Sequence, residues 1–215
     1  MQITYETGYA ITKDVEVVIN SANGLLFADS TGAGAIREVS EDLTKLERLE
    51  FDQLFNAAPV EIQEFFEQKR KKHGWQYKHE NLSCLKLLAY NKYKSFNVGT
   101  AIFDPLWSEK FNKKVIHAIT LTYNPKTGER LVGTPQQITK AIMEAIEVAL
   151  DFNKKSISVP VPCARPEYGI GPAGSFNIVT NALKKFANED LNVVLCFDNP
   201  QTEEFLNKTL RDASK

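Results

Sequence analysis

The sequence predicts a three-layer α/β/α domain carrying an inserted helical hairpin. Two observations support this. Four short runs rich in β-branched residues lack the polar alternation of a half-exposed sheet, as strands covered on both faces do. Segments with apolar residues at helical spacing lie between them, and such alternation builds a sheet flanked by helices.

The elements follow in chain order. Residues 15–19, Val-Glu-Val-Val-Ile, form a buried strand that ends at Asn20. The stretch from about 38 to 95 is charged and helical, with Leu43, Leu46 and Leu49 set on one face. After Ala58-Pro59, the residues Ile62, Phe65 and Phe66 begin a second stripe. That helix stops at Gly74, behind Lys69-Arg70-Lys71-Lys72-His73, basic residues that oppose the negative end of the helix dipole. The stretch reads as a hairpin inserted into one domain spanning residues 1–215. Residues 115–121 and 156–161 are further buried strands. Between them, Thr134-Pro135-Gln136-Gln137 is a capping box with proline at the first helical position. Ile138, Ile142, Ala145, Ile146 and Ala149 then line one helical face. A helix opening near Gly171-Pro172 carries Ile178, Val179, Leu183 and Phe186 inward. The strand at 192–197 leads to a last helix at Asn199-Pro200, with Phe205, Leu206 and Leu210 facing in.

Composition narrows the function classes. The chain is 43% hydrophobic and 10% aromatic, enough to bury a core and too much for wholesale disorder. Its 26 basic and 27 acidic residues leave no global field to draw it to DNA or an anionic membrane. Cys84, Cys163 and Cys196 have neither CxxC nor Cys/His metal spacing, so neither a disulfide framework nor a cysteine-rich zinc site is expected. The start lacks the charged and apolar regions of a signal peptide, and no run reaches bilayer-crossing length. The expectation is a cytoplasmic protein with no membrane, metal or cofactor requirement.

Two loops stand out. Val17-Val18-Ile19-Asn20-Ser21-Ala22-Asn23 runs from a strand into amides and small residues. Ser30-Thr31-Gly32-Ala33-Gly34-Ala35-Ile36 then makes a glycine-rich turn into a helix. The second loop, Pro160 to Pro172, is again a strand end, a glycine-rich turn and a helix start. Small residues let the backbone approach a ligand, and helix-start N–H groups suit phosphate. Two such loops at the carboxyl ends of neighbouring strands form a crevice, and two facing nests fit a diphosphate. Glycine-rich loops are equally compatible with plain turn chemistry.

In these segments the chain resembles the macro domain family, binders of ADP-ribose. The resemblance rests on the ordered set Val17 to Asn23, Gly34-Ala35-Ile36, Gly99-Thr100-Ala101, Val115-Ile116-His117-Ala118, Tyr168-Gly169-Ile170-Gly171-Pro172 and Val193 to Asn199. It implies a macro-type α/β/α fold with a mixed central sheet. It also implies that Asn20 and Asn23 lie at the ligand, with Asn23 bonding the distal ribose and serving as the one candidate catalytic residue. Residues Ser30, Thr31, Gly32, Ala33 and Gly34 would wrap one side of the diphosphate, with Ala35 and Ile36 of the helix opening also at the ligand. Tyr168, Gly169, Ile170 and Gly171 would close the other, with Tyr168 near the distal ribose, and Phe197 and Asn199 would lie near the adenine.

Four departures from the family pattern stand out. The acid that reads the adenine amine is replaced in Gly8-Tyr9-Ala10-Ile11-Thr12, where Tyr9 would have to stack instead. Asp29-Ser30-Thr31 stands where the family has three glycines, and Ala33 stands where the hydrolytic branch has an Asp. Ala164-Arg165-Pro166-Glu167 replaces Ser-Thr-Gly in the second loop.

Each candidate also has a bland reading. Asn20 and Asn23 could cap a turn. His117, inside an apolar strand, reads as a satisfied core histidine. Cys163 reads as a small buried hydrophobe, and Asp29 as a turn residue. Arg165 could pair with phosphate or with Glu167. The Lys69–His79 run mixes basic and aromatic residues as nucleic-acid binders do, but the neutral balance of the whole chain favours a solvated helix end with Trp75 and Tyr77 packed onto the insertion. Three functions are therefore weighed. The first is binding of ADP-ribose, free or on a macromolecule. The second is hydrolysis of ADP-ribosyl adducts, as a glycohydrolase or an ADP-ribose-derivative hydrolase. The third is an interaction module using the insertion, nucleic acid being one partner. Whether the chain is an enzyme stays open in the sequence.

Overall fold

The structure, a computed structural model, describes residues 1–27, 40–73 and 78–213. Seven strands form one mixed sheet: β1 (Gln2–Thr7), β2 (Val17–Asn23), β3 (Ala101–Asp104), β4 (Lys114–Tyr123), β5 (Arg130–Val132), β6 (Ser156–Pro160) and β7 (Asn192–Phe197). The order across the sheet is β1-β7-β6-β2-β4-β3, and β5 also pairs with β4. The pairings β1–β7, β7–β6, β6–β2 and β2–β4 are parallel, whereas β3 and β5 run antiparallel to β4. The parallel block brings the carboxyl ends of β4, β2, β6 and β7 to one edge of the sheet.

Seven described helices cover the sheet: α1 (Lys45–Ala57), α2 (Val60–His73), α3 (His79–Tyr90), α4 (Pro105–Phe111), α5 (Pro135–Asp151), α6 (Gly171–Lys184) and α7 (Pro200–Ala213). Helix α5 starts as its sequence demands. Thr134 Oγ1 accepts from the Gln137 N–H, and Gln137 Oε1 accepts from the Thr134 N–H. It buries Ile138, Ala141, Ile142, Ala145, Ile146 and Ala149. Removing one such isoleucine side chain costs about 2–5 kcal/mol, so this stripe is a large share of the packing energy.

The segment between β2 and β3 differs from expectation in two ways. Its described residues hold three helices, not a hairpin of two, the third being α3 with Leu82, Cys84, Leu85 and Leu88 buried. In α1, Leu46 and Leu49 are exposed, at 77% and 54%. The buried side chain is Phe51, backed by Leu54 and Phe55. Helix α1 begins at the Thr44 capping box, and its apolar stripe is read from the aromatic at 51 onward rather than from the leucines. Phe65 and Phe66 of α2 behave as expected and meet Phe27 edge-on, with centroids 6.2 and 5.5 Å apart. These residues belong to the same apolar cluster as the α5 stripe.

Strand β2 extends three residues beyond the expected end at Asn20, and this positions the site. Side chains alternate faces along a strand. Val17 and Ile19 join the cluster shared with α5 and α6, while Val18 packs with Trp107 and Val115 on the other face. Between Ala22 and Asn23 the register against β4 slips, leaving Thr120 as the extra residue. Such a bulge re-aims side chains at the end of a ladder.

Candidate functional site

An open crevice lies across the carboxyl ends of β4, β2, β6 and β7. Four neighbouring strands span roughly 14 Å at ordinary strand spacing. Its polar lining comes from Ser21, Asn23, Thr120, Arg165, Asp198 and Asn199, and Pro160, Val161, Pro162 and Ala164 supply apolar wall. This is where ligands bind in open α/β sheets.

Asn23 is buried and holds its own loop. Its Oδ1 accepts from the N–H groups of Leu25 and Phe27, and its Nδ2 donates to the Phe27 carbonyl at 2.6 Å. The next residue, Gly24, has no room for a side chain: a Cβ there would stand 2.4 Å from the Phe96 carbonyl oxygen. On the crevice floor, the hydroxyls of Ser21 and Thr120 are 2.9 Å apart. Cys163 adopts a left-handed φ of 55°. Burial pushes its thiol up to about 11, against the pull of the Thr120 hydrogen bond and the Arg130 charge. A thiol held protonated in this way is no nucleophile at neutral pH.

At the β7 end, Asn199 caps α7. Its Oδ1 accepts from the Thr202 N–H, and Thr202 Oγ1 accepts from the Asn199 N–H. Asn199 Nδ2 donates to Asp198 Oδ1 at 3.1 Å. Burial pushes the Asp198 carboxyl up to about 6, with Asn199 and the Arg165 charge pulling it back. Arg165 itself lies 3.6 Å from Glu167. Beside the crevice, the Arg130 guanidinium sits 4.8 Å from the Tyr168 ring centroid and bonds the Tyr123 hydroxyl through Nε at 3.2 Å.

No protein-family model matches the chain, and no curated protein matches it by sequence. Solved structures do. The Oceanobacillus iheyensis macrodomain with MES bound superimposes with a TM-score of 0.63 at 15% identity, over 98% of this chain and 91% of its own. The Trypanosoma brucei macrodomain in complex with ADP-ribose gives 0.58 at 15%, over 97% and 69%. The macro domain of ganglioside induced differentiation associated protein 2 gives 0.57 at 13%, over 96% and 81%. This chain has the macrodomain fold.

Within that macrodomain fold, the sequence-derived site residues separate into groups. Asn23, Arg165, Tyr168 and Asn199 meet in the crevice. Residues 28–39, and with them Asp29, Ser30, Thr31, Gly32, Ala33, Gly34, Ala35 and Ile36, lie outside the described residues. Asn20 needs correction. It belongs to the opposite face of the sheet, where its Nδ2 donates to His117 Nδ1 at 3.0 Å. The expected strand stopped at Asn20 and so placed residues 20–23 in one loop. In the extended strand, a residue three positions before Asn23 faces the other way. Phe197 is also corrected: it is fully buried, with Tyr5 and Phe176 at centroid distances of 6.4 and 6.2 Å. Tyr9 packs with the Val18, Trp107 and Cys196 cluster and does not line the crevice. Gly169 and Ile170 line a neighbouring groove between α5 and α6, and Gly171 lines neither. The left-handed φ values of Gly169 and Gly171, 75° and 72°, explain why glycines stand there.

His117 lies in a buried network rather than at a reacting centre. Its Nε2 is 3.0 Å from Asp104 Oδ2, and Asp104 also accepts from Ser83 Oγ and the Trp107 N–H. In the basic run, Lys69 Nζ sits 4.1 Å from the Tyr123 ring centroid and Arg70 pairs with Glu67 at 3.1 Å. Residues 74–77 lie outside the described ones.

Three crevice residues were missed in the sequence: Thr120, Ser21 and Asp198. Asp198 carried a readable signal, being the acid immediately after a predicted buried strand and between two chosen residues. Thr120 carried none, because only the register slip brings it to the floor.

Proposed function

We propose that this chain binds ADP-ribose or a closely related nucleotide diphosphate in the crevice, as a free ligand or as an adduct on a macromolecule. The observation that carries this reading is the crevice itself: four strand ends wide, with one guanidinium, amides and hydroxyls on its floor, in a fold whose solved examples include complexes with ADP and ADP-ribose. Its width suits a ligand longer than a mononucleotide. Arg165 supplies the positive charge for phosphate, and Tyr168, stacked on Arg130, supplies a wall.

Binding is favoured over turnover. Asn23, the expected catalytic residue, has its carbonyl oxygen committed to two backbone N–H groups. The Cys163 thiol is held protonated.

The test is calorimetric titration with ADP-ribose, AMP, NAD and ADP-ribose-1″-phosphate side by side. ADP-ribose is expected to bind with micromolar affinity and AMP more weakly. Arg165→Ala is expected to weaken ADP-ribose by about tenfold through loss of a charged hydrogen bond. Absence of heat from all four ligands would remove the proposal. Release of ADP-ribose from an ester, arginine or nucleic-acid adduct would replace it with the hydrolytic reading.

A further inference from the structure

We propose that Arg130 is a positioning residue for the crevice: from outside the lining it holds the Tyr168 ring in place as a wall, and ligand affinity depends on that hold. This rests on the nucleotide reading above and names a residue that acts on the ligand through another.

The argument starts at the end of β4. Arg130 of β5 lies directly opposite Tyr123 of β4, and opposed residues of an antiparallel pair share one face of the sheet. Tyr123 is buried and held from the insertion side. The ring of Phe65 on α2 is 5.4 Å from it between centroids, and Lys69 Nζ stands 4.1 Å from its centroid. Its hydroxyl is therefore a fixed point, and it accepts from Arg130 Nε at 3.2 Å. That bond fixes a guanidinium that would otherwise be free to swing, since Arg130 is exposed. The guanidinium then sits 4.8 Å from the Tyr168 ring centroid. Tyr168 lines the crevice and Arg130 does not.

Tyr168 gains from such a partner because its loop is thinly packed. The residue ends a single 3-10 turn, Pro166–Tyr168, and is half-buried against the main apolar cluster. Just beyond it, a Cβ built on Gly169 or Gly171 would meet no described atom within 4 Å. A cation over the face of a tyrosine is attracted by the ring's negative π face, and the planar guanidinium of arginine suits this better than an ammonium. A ring already in position loses less freedom when ligand binds, which raises affinity without a new ligand contact.

The experiment is a double-variant cycle read by calorimetric titration of ADP-ribose into wild type, Arg130→Ala, Tyr168→Ala and the protein carrying both changes. Arg130→Ala is expected to weaken binding about three- to tenfold. In the Tyr168→Ala background the same change is expected to cost nothing further, because the ring through which it acts is gone. Tyr123→Phe leaves every charge and ring in place and removes only the anchoring hydroxyl; it is expected to weaken binding about two- to threefold. Thermal melts check that each variant folds. Unchanged affinity in Arg130→Ala overturns the inference. So does an equal loss in the two backgrounds, which would make Arg130 a direct ligand contact. Either result leaves the nucleotide reading standing, whereas wild-type protein that binds no ADP-ribose overturns both.

Discussion

The imidazole of His117 and the carboxylate of Asp104 meet at 3.0 Å with both side chains essentially excluded from solvent. Asn20 donates to Nδ1, so the Nε2 hydrogen points to Asp104. The pair joins β4 to the end of β3, and Ser83 extends it to α3. Burial alone would raise the Asp104 carboxyl. Hydrogen bonds from His117, the Trp107 N–H and Ser83 outweigh burial and hold it below the usual carboxylate range.

Acid should therefore unfold the protein through this site. A depressed folded pKa means the native state binds fewer protons than the unfolded chain. The stability is fully present above the ordinary carboxylate value near 4 and is lost as pH falls through the lower folded value. The urea midpoint is expected to drop steeply below pH 4. Asp104→Asn should lower stability by about 3 kcal/mol at pH 7 and flatten that drop. A parallel pH profile in the variant would refute the linkage.

Asp198 should act in the opposite sense. Its folded pKa is raised, so native protein binds the extra proton, and stability is gained as pH falls from about 6 towards the unfolded value. Asp198→Asn is expected to melt a few degrees higher than wild type at pH 7.5, with the gap closing by pH 5. Thermal scans at both pH values decide it. A variant that melts lower at pH 7.5 contradicts the assignment.

Asn23 is expected to behave as a stability residue as well as a ligand residue. Asn23→Ala removes one donor and an acceptor shared by two N–H groups, a loss of about 1–3 kcal/mol. Asn23→Asp keeps the acceptor but sets a buried carboxylate oxygen against the Phe27 carbonyl, and should lose at least as much. Chemical denaturation of the ligand-free protein measures this without reference to binding.

How much of this was legible in the sequence depends on which force set each element. The α5 stripe and its capping box are local, and periodicity displays them. The strand at 192–197 coincides with β7, because β-branched density and the following Asn-Pro mark both ends. The end of β2 was not legible: whether Asn20 to Asn23 pair or turn is decided by β4, almost a hundred residues away. The α1 face misled for a related reason, since Leu46 and Leu49 have the right spacing but the partner surface selects Phe51. In the site, loop chemistry showed Arg165 and Tyr168, whereas the face each asparagine uses depended on strand parity.

Gly24 offers a sharper test of the β2 exit. Its N–H donates to the Leu121 carbonyl and its carbonyl accepts from the Phe96 N–H, both at 2.8 Å, so the backbone cannot retreat from an added Cβ. Gly24→Ala should destabilise by about 1–3 kcal/mol by overpacking. A crystal structure of the variant is expected to show the residue 95–96 strip displaced. An unaltered melting temperature would count against this close approach.

The helices between β2 and β3 are sutured to the sheet rather than draped over it. Ser83 grips Asp104 at the end of β3 and the Cys84 thiol donates to the Leu26 carbonyl just past β2, while the Tyr93 hydroxyl ties the segment's own helices together through the Leu54 carbonyl. Excising residues 40–95 to mimic a minimal scaffold would strip Phe27 of its aromatic partners and leave a buried carboxylate without its hydroxyl. A truncated protein built that way should precipitate rather than bind, so trimming experiments on this chain should begin at its outer helix surfaces, where Leu46 and Leu49 face water.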